Sequence, residues 1–223
     1  MGADLSALEN RVAAHYTKVY DKGEFAFRIL KEDPHQYIAD LLNITRSEAK
    51  CINYGIMYGA GVGKVRSMLG CGQREAQNRY NQWWDANPAL KKLKSNITSA
   101  LKQHPGWIKG IDGRKIFIRS EHSAMNALFQ NAGSIINKVS TILIYKEMKK
   151  HNIKGHMVIN MHDEVQAEIL EKDIDKYKDI VFPSHDQWGD VCSLSNMSMN
   201  WSRNEVGKRC QDCTKKAIDK AFN

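Results

Sequence analysis

The stretch that decides the fold reads Thr45-Arg46-Ser47-Glu48-Ala49-Lys50-Cys51-Ile52-Asn53-Tyr54-Gly55-Ile56-Met57-Tyr58-Gly59. Thr45 and Glu48 have the spacing of a capping box, in which the threonine side chain and the glutamate side chain satisfy each other's backbone N–H groups. The pattern therefore predicts a helix that begins at Arg46. The glycines that start at Gly59 predict that this helix ends near Tyr58.

One face of this helix combines two cations with two phenols. Arg46, Lys50, Tyr54 and Tyr58 follow one another at intervals of four residues, which keeps them on one face because four residues advance about 400°. This face could be a solvated basic flank. However, Gly55 lies inside the helix, where glycine costs about 1 kcal/mol relative to alanine. A functional interpretation uses the cations for phosphates, the tyrosines for stacking and the glycine as clearance for a base.

A second group lies between two apolar segments, residues 157–161 and 165–169, which read as the strands of a hairpin. The corner of the hairpin contains His162-Asp163-Glu164. An aspartate is common in turns for its side-chain hydrogen bonds. Two adjacent acids at a corner also concentrate negative charge, which is unfavourable unless solvent or a cation meets it.

A third group lies near the start of the chain, where the stretch from Asp4 to Arg11 contains the acids Asp4 and Glu9. Taken alone they could be ordinary surface acids of a helix. Taken with Asp163 and the cationic helix, they suit two-metal phosphoryl transfer, in which carboxylates hold the ions and cations neutralise the departing pyrophosphate.

Helices dominate the remaining pattern. Asn87-Pro88 predicts the start of a helix, and Asp112-Gly113 predicts a hairpin between short apolar runs. A long helix follows, whose buried face has a helical period: Met125, Leu128, Phe129, Ala132, Ile135, Ile136, Val139, Ile142 and Leu143.

Composition narrows the class of protein. The 223 residues include 33 Lys plus Arg against 25 Asp plus Glu, a net charge of +8 that indicates a polyanionic partner. A hydrophobic fraction of 42% argues against disorder. No apolar run approaches the roughly 20 residues that span a bilayer, so no membrane association is expected. Early acids and an odd number of cysteines favour a cytoplasmic protein with reduced thiols.

Together these segments resemble the family A (bacterial polymerase I type) DNA polymerases, especially their phage replicative branch. Asp4 to Arg11 resembles motif A, D-x-S-x-L-E-x-R, and the helix from Arg46 matches motif B at every fixed position. His162-Asp163-Glu164 matches motif C. Asp33-Pro34-His35 and the segment 119–130 resemble further family segments, and the similarity extends from residue 3 to about Trp201.

The resemblance implies a role for each matching residue. Asp4 and Asp163 would hold two Mg²⁺ ions with the backbone carbonyl of Leu5, and Glu164 would be an acidic neighbour. Lys50 would also donate a proton to pyrophosphate, which makes it a catalytic residue beside Asp4 and Asp163. The residues implied to bind the nucleotide are Glu9 as a steric gate with Tyr58, His35, Arg46 and Lys50 at the triphosphate, and Tyr54 at the base. The residues implied to bind primer–template DNA are Arg119, Asn126, Gln130 and His162.

The expected fold class is α+β, with mostly helical fingers inserted into a partial palm that has a short antiparallel sheet. We expect the start of the palm at 1–24, the fingers at 25–104 with the motif B helix at 46–58, the palm again at 105–201, and a basic tail at 202–223. Glu205 stands where the family has a histidine.

The expected function is template-directed addition of dNTPs to a primer 3′-OH in a phage or bacterial cell. Family members carry a thumb, earlier palm segments and often an exonuclease ahead of motif A, so we expect this chain to be a catalytic half that needs an N-terminal partner polypeptide. Two alternatives remain at this point: a catalytically inactive DNA-binding remnant, and a single-subunit RNA polymerase relative. Glu9 and Glu164 argue against the latter.

Overall fold

The computed structural model describes residues 1–5 and 7–181, and every structural statement below concerns those residues. The strands are β1 (Gly2–Asp4), β2 (Trp107–Lys109), β3 (Lys115–Phe117), β4 (Gly155–Met161) and β5 (Glu164–Ile169). The helices are α1 (Leu8–Asp21), α2 (Glu24–Lys31), α3 (Pro34–Leu42), α4 (Arg46–Met57), α5 (Val62–Leu69), α6 (Gln73–Ala86), α7 (Pro88–Gln103), α8 (Ala124–Lys150) and α9 (Ile174–Val181).

The chain forms two compact units. One contains Met1–Arg11 together with the described residues from Ala132 onward, and the other contains Val12–Asn131. Helices predominate in both and the strands are short and antiparallel, so the expected α+β class is confirmed. Among the described residues, no helix combines the length and the apolar composition that a bilayer-spanning helix needs.

The first unit is built on a three-stranded antiparallel sheet in the order β1-β5-β4. Val165 and Ala167 of β5 are buried, whereas Glu164 and Gln166 alternate to the other face, as the two-residue period of a strand requires. Tyr177 packs with Ala167 in a core that also includes the following residues: Met148, Ile153 and Ile180. The hairpin expected at 157–161 and 165–169 is confirmed.

The second unit packs helices α3 to α7 in sequence, with α3 also against α6. Helix α4 begins at Arg46, and both hydrogen bonds of the Thr45–Glu48 capping box are present. It ends at Met57 with Tyr58 as its C-cap, one residue before the expected end. Pro88 opens α7 as expected. Its apolar face buries Leu90, which is fully enclosed.

The hairpin expected around Asp112-Gly113 is formed by β2 and β3. The long helix expected after it is α8, which is 27 residues long. The expected domain ranges stay predictions, and the basic tail at 202–223, Trp201 and Glu205 lie outside the described residues.

Candidate active site

Strand pairing determines where the acidic residues of the first unit lie. In the β1–β5 ladder Asp4 is the direct partner of Glu164, so their side chains lie on the same face of the sheet. The backbone N–H of Leu5 donates to the carbonyl oxygen of Asp163 at 3.0 Å. Residues of β1 and of the β4–β5 turn, which are far apart in the sequence, therefore meet at the end of β1.

Glu164 is held on this face by its neighbours. The Nε2 of Gln166 donates to Glu164 Oε1 at 2.9 Å. A Cβ atom placed on Gly2 would come within 3.1 Å of the same oxygen. The absence of a side chain at Gly2 thus gives the glutamate room to lie across β1.

The turn that carries Asp163 is fixed from α8. His162 has φ of 56°, a left-handed conformation that is uncommon for residues other than glycine. The buried Asn137 donates through Nδ2 to the His162 carbonyl oxygen at 2.7 Å and to Asn160 Oδ1 at 3.0 Å. Asn160 donates in turn to the Thr141 hydroxyl. This network, Asn137, Asn160 and Thr141, holds the turn by its backbone as well as by a side chain of β4.

The acidic residues repel one another electrostatically. The pKa of Asp4 is raised above its ordinary value of 3.8, first because protein atoms desolvate the carboxyl group and then because Asp163, Glu164 and Glu9 are negative. Asp4 is nevertheless an exposed residue, so solvent and ions can reach it. A cation at this position would relieve the repulsion.

Within residues 1–5 and 7–181, no three His, Cys, Asp or Glu side chains are grouped closely enough to form a metal cage. Mg²⁺ does not require such a cage, because it commonly binds through one or two carboxylates and keeps waters or substrate phosphates as its other ligands. The exposed Asp4, with its three acidic neighbours, fits that mode of binding.

The second unit presents the expected cationic and aromatic residues on an accessible face of α4. Arg46, Lys50 and Tyr58 are exposed, and Tyr54 is half-buried. The rings of Tyr54 and Tyr58 have centroids 6.0 Å apart. The shared face predicted from the four-residue spacing is therefore present.

Asp33 ties this face to α3. As the N-cap of α3 it accepts hydrogen bonds from the backbone N–H groups of His35 and Gln36, at 2.9 and 3.1 Å. It also accepts from Arg46 Nε at 2.6 Å, and this bond is the main reason that the pKa of Asp33 is lowered. One carboxylate thus orients the start of α3 and the guanidinium of α4.

His35 lies in the first turn of α3 and is buried. Its ring packs against Tyr54 with centroids 5.6 Å apart. Its Nδ1 is 3.0 Å from Asn53 Nδ2, and Asn53 Oδ1 accepts from the indole Nε1 of Trp83 at 2.6 Å. Burial, together with Arg46 and Lys50, lowers the pKa of His35, and Asp33 opposes this effect.

The structure revises the interpretation of Gly55. A Cβ atom at this position would lie 2.9 Å from Met68 Cε and 3.2 Å from its Sδ. The clearance that we expected for a base is occupied by a side chain of α5. Gly55 thus allows α4 and α5 to pack closely.

The residues predicted to bind DNA differ in accessibility. Arg119, Gln130 and His162 are exposed. Asn126 is half-buried, and its Oδ1 is buried without a hydrogen-bond partner in the described part of the chain. An asparagine that reads acceptors in the minor groove does so through its amide N–H group, so this buried oxygen does not conflict with the predicted role.

Sequence reasoning missed the asparagines that support the site. Asn53 lies among the buried residues of α4, and Asn137 lies between Ile136 and Val139 on the buried face of α8. A polar residue inside an apolar stripe needs a buried hydrogen-bond partner. An asparagine that interrupts the apolar period of a helix was therefore the signal available in the sequence, although it does not identify the hydrogen-bond partner.

The chain is similar to known proteins over most of its length. The family model for DNA polymerase family A matches residues 1–187. The DNA-directed DNA polymerase of Escherichia phage T7 is 32% identical over 90% of the chain and 32% of its own length. DNA polymerase I of Caldicellulosiruptor bescii is 27% identical over 78% of the chain and 23% of its own length. The chain thus spans about a third of the phage relative, and neither alternative function is favoured by these matches.

The fold has a solved counterpart. It is the POL domain of Pol1 from M. smegmatis in complex with DNA primer-template and dNTP, with a TM-score of 0.71 and 20% identity over 80% of this chain and 35% of that one. At this identity the likeness concerns the fold. Because the family model matches residues 1–187 of the 223, the chain belongs to DNA polymerase family A.

Proposed function

We propose that the chain carries the catalytic residues of a DNA-directed DNA polymerase, which adds dNTPs to a primer 3′-OH as a template directs. The observation that carries this proposal is the pairing of β1 with β5, which brings Asp4 beside the turn that holds Asp163. The T7 relative, named a DNA-directed DNA polymerase, supports the reaction. The solved complex with primer-template and dNTP supports the substrates.

Asp4 and Asp163 would hold two Mg²⁺ ions, with the Leu5 carbonyl as a further ligand. When bound, such ions activate the attacking hydroxyl and neutralise charge on the leaving oxygens. Desolvation and then repulsion from Asp163, Glu164 and Glu9 raise the pKa of Asp4, and the repulsive part supports an ion at this position. Glu164, directly opposite Asp4, adds negative charge to the same face.

Arg46 and Lys50 would bind the triphosphate, because they are exposed cations that also act electrostatically on His35. Lys50 would donate a proton to the departing pyrophosphate. His35 would donate a hydrogen bond to a phosphate oxygen. Tyr54 would stack on the incoming nucleotide, and its ring contacts those of His35 and Tyr58.

Glu9, in the first turn of α1, would exclude a ribose 2′-OH with Tyr58 as its partner. The residues that would contact the primer–template are Arg119, Asn126, Gln130 and His162.

We also propose that an upstream polypeptide with a thumb and further palm strands contributes to activity. Within the described residues β1 is an edge strand, and its outer edge can pair with another strand.

Primer extension tests the proposal. The chain, with and without the upstream polypeptide, is incubated with a primed template, dNTPs and Mg²⁺. We expect extension that Asp163→Asn abolishes. Asp175→Asn is the control, because Asp175 is a surface acid of α9 with 93% of its side chain exposed. Extension that survives Asp163→Asn, or no extension in either mixture, contradicts the proposal.

The role of Lys50 is tested separately. Lys50→Ala should raise the KM for dNTPs by tenfold or more, because a charge-assisted hydrogen bond contributes about 1.5–3 kcal/mol. Primer–template affinity, measured by fluorescence anisotropy, should stay unchanged. An equal loss of both would contradict the assignment to the triphosphate.

A further inference from the structure

A buried chain of hydrogen bonds leads from α6 to His35. Trp83 Nε1 donates to Asn53 Oδ1 at 2.6 Å, and Asn53 Nδ2 lies 3.0 Å from His35 Nδ1. The three residues are 1%, 7% and 8% exposed, respectively. Water has little access to replace any of these contacts.

The first bond determines the orientation of the Asn53 amide. An indole N–H only donates, so the asparagine atom that faces Trp83 has to be the oxygen. The reversed amide would place an NH₂ group against the indole N–H at 2.6 Å, with two donors and no acceptor. Side-chain amides are otherwise ambiguous in orientation, and here the tryptophan removes the ambiguity.

The second contact then determines the protonation of His35. Because Asn53 Nδ2 is a donor, His35 Nδ1 has to accept and carries no proton. A neutral imidazole has one N–H group, so the proton is on Nε2. The doubly protonated ring would place two donors 3.0 Å apart in a buried position.

We propose that Trp83 and Asn53 are positioning residues that hold His35 as the neutral Nε2–H tautomer, so that it binds the nucleotide triphosphate as a hydrogen-bond donor and not as a cation. The phosphate part rests on the proposed polymerase function. The tautomer depends only on the hydrogen bonds of the second unit.

The charges around His35 agree with a neutral ring. Arg46 and Lys50 on α4 disfavour another positive charge, whereas Asp33 favours one. Asp33 is already bound to Arg46 and to two backbone N–H groups of α3. From α6 the contact is the uncharged Trp83. Arg46 and Lys50 thus supply the positive charge for binding phosphates, and the neutral His35 would add a directional hydrogen bond.

NMR spectroscopy of the full chain tests the tautomer without any polymerisation. Two-bond ¹H–¹⁵N spectra of ¹⁵N-histidine-labelled protein are recorded from pH 8 to 6, and His35 is assigned from its missing signal in His35→Gln. We expect an unprotonated Nδ1 and a protonated Nε2 throughout. A protonated Nδ1, in either the other tautomer or the imidazolium, overturns the proposal whether or not the chain extends primers.

The same spectra test the phosphate part with dTTP as the probe. We expect the Nε2 signal of His35 to move on addition of dTTP while Nδ1 stays unprotonated. If dTTP binds and the Nε2 signal does not move, His35 is not a phosphate donor. Failure of the polymerase function as a whole would show itself separately, as absent primer extension.

Asn53→Asp replaces the hydrogen-bond donor that faces His35 Nδ1 by an acceptor, with almost no change in the shape of the side chain. The aspartate offers an oxygen where the amide offered a donor, so His35 should acquire a proton on Nδ1. The ratio of the variant's KM for dNTP to the wild-type KM should then change several-fold between pH 8 and 6, as the ring becomes cationic. A KM ratio that is constant with pH, or an unprotonated Nδ1 in the variant, contradicts the proposal that Asn53 holds the tautomer of His35.

Trp83→Phe removes the donor and keeps an aromatic ring. We expect about a fivefold higher KM for dNTP, corresponding to one hydrogen bond, together with a mixture of tautomers and an unchanged kcat. The matched control is Trp84→Phe, because Trp84 is also buried and packs edge-on against Trp83 with ring centroids 4.9 Å apart, whereas the hydrogen bond to Asn53 is donated by Trp83. Equal effects of the two substitutions would mean that Trp83 acts only through packing.

Discussion

Replacement of Gly59 by alanine should destabilise the protein strongly. Gly59 directly follows Tyr58, the last residue of the cationic and aromatic face of α4, and has φ of 94°, in the left-handed region. A Cβ atom there would lie 2.1 Å from the backbone carbonyl oxygen of His122, whereas ordinary contacts begin near 3.4 Å. The obstacle is backbone and not a flexible side chain, so His122 would have to retreat by roughly 1.3 Å.

Two costs add at this position. A left-handed conformation costs a residue with a Cβ atom about 1–2 kcal/mol, and overpacking in a tight site costs about 1–3 kcal/mol. Gly59→Ala should therefore lose about 2–5 kcal/mol of the free energy of unfolding. For a chain of this length that corresponds to a decrease in Tm on the order of 10 °C.

Two other glycines separate the costs. Gly70 has φ of 59° and no atom within 4 Å of an added Cβ, so Gly70→Ala measures the backbone conformation alone. Gly63 lies inside α5 with neither constraint, so Gly63→Ala should be neutral or stabilising by up to about 1 kcal/mol. Thermal and urea unfolding, followed by circular dichroism, should rank the stabilities Gly63→Ala, Gly70→Ala, Gly59→Ala in decreasing order. If Gly59→Ala is no less stable than Gly70→Ala, the contact with His122 does not constrain the chain.

Three further predictions concern the acidic end of the sheet. The pKa of Asp4 is raised in the folded state, so the folded protein binds this proton more tightly than the unfolded chain, and the ionised carboxylate opposes folding above pH 3.8. Asp4→Asn should therefore raise Tm at pH 7 without divalent ions, and this gain should vanish below pH 3.8. A lower Tm of Asp4→Asn at pH 7 would contradict the reasoning. Asn137→Ala should lower kcat in primer extension and leave the KM for dNTP unchanged, because it releases the His162 turn; the exposed Lys138→Ala is its control, and equal kcat values would remove Asn137 from this role. Glu9→Ala should admit ribonucleotides in a competition assay against dNTPs, and unchanged sugar selectivity would rule out the steric gate.

The sequence predicts local structure well wherever one segment contains the whole signal. The capping box at Thr45 and Glu48, the proline at the start of α7 and the Asp112-Gly113 turn each depend on neighbouring residues, and each forms as expected. The shared face of α4 follows from helical periodicity alone. These elements needed no knowledge of the rest of the chain.

Contacts between distant segments were not accessible in this way. Gly55 was interpreted as clearance for a ligand, but its neighbour is Met68, which the helical period of α4 cannot indicate. The bonds from Trp83 to Asn53 and from Asn137 to His162 likewise join separate elements. Such partners are determined by packing, and one sequence does not specify which buried polar groups meet.

The pairing of β1 with β5 has a consequence for the order of folding. Met1 and Ala167 exchange backbone hydrogen bonds at 2.8 Å across a sequence separation of 166 residues. Closing a flexible loop of that length costs about 4–5 kcal/mol of entropy, and β1 has only three residues with which to offset this cost. We therefore expect the acidic end of the sheet to form after the local helices and hairpins, and to be among the first regions to exchange its amide protons. A ligand that bridges Asp4 and Asp163 would protect those amides, which makes hydrogen exchange of β1 a direct reporter of assembly.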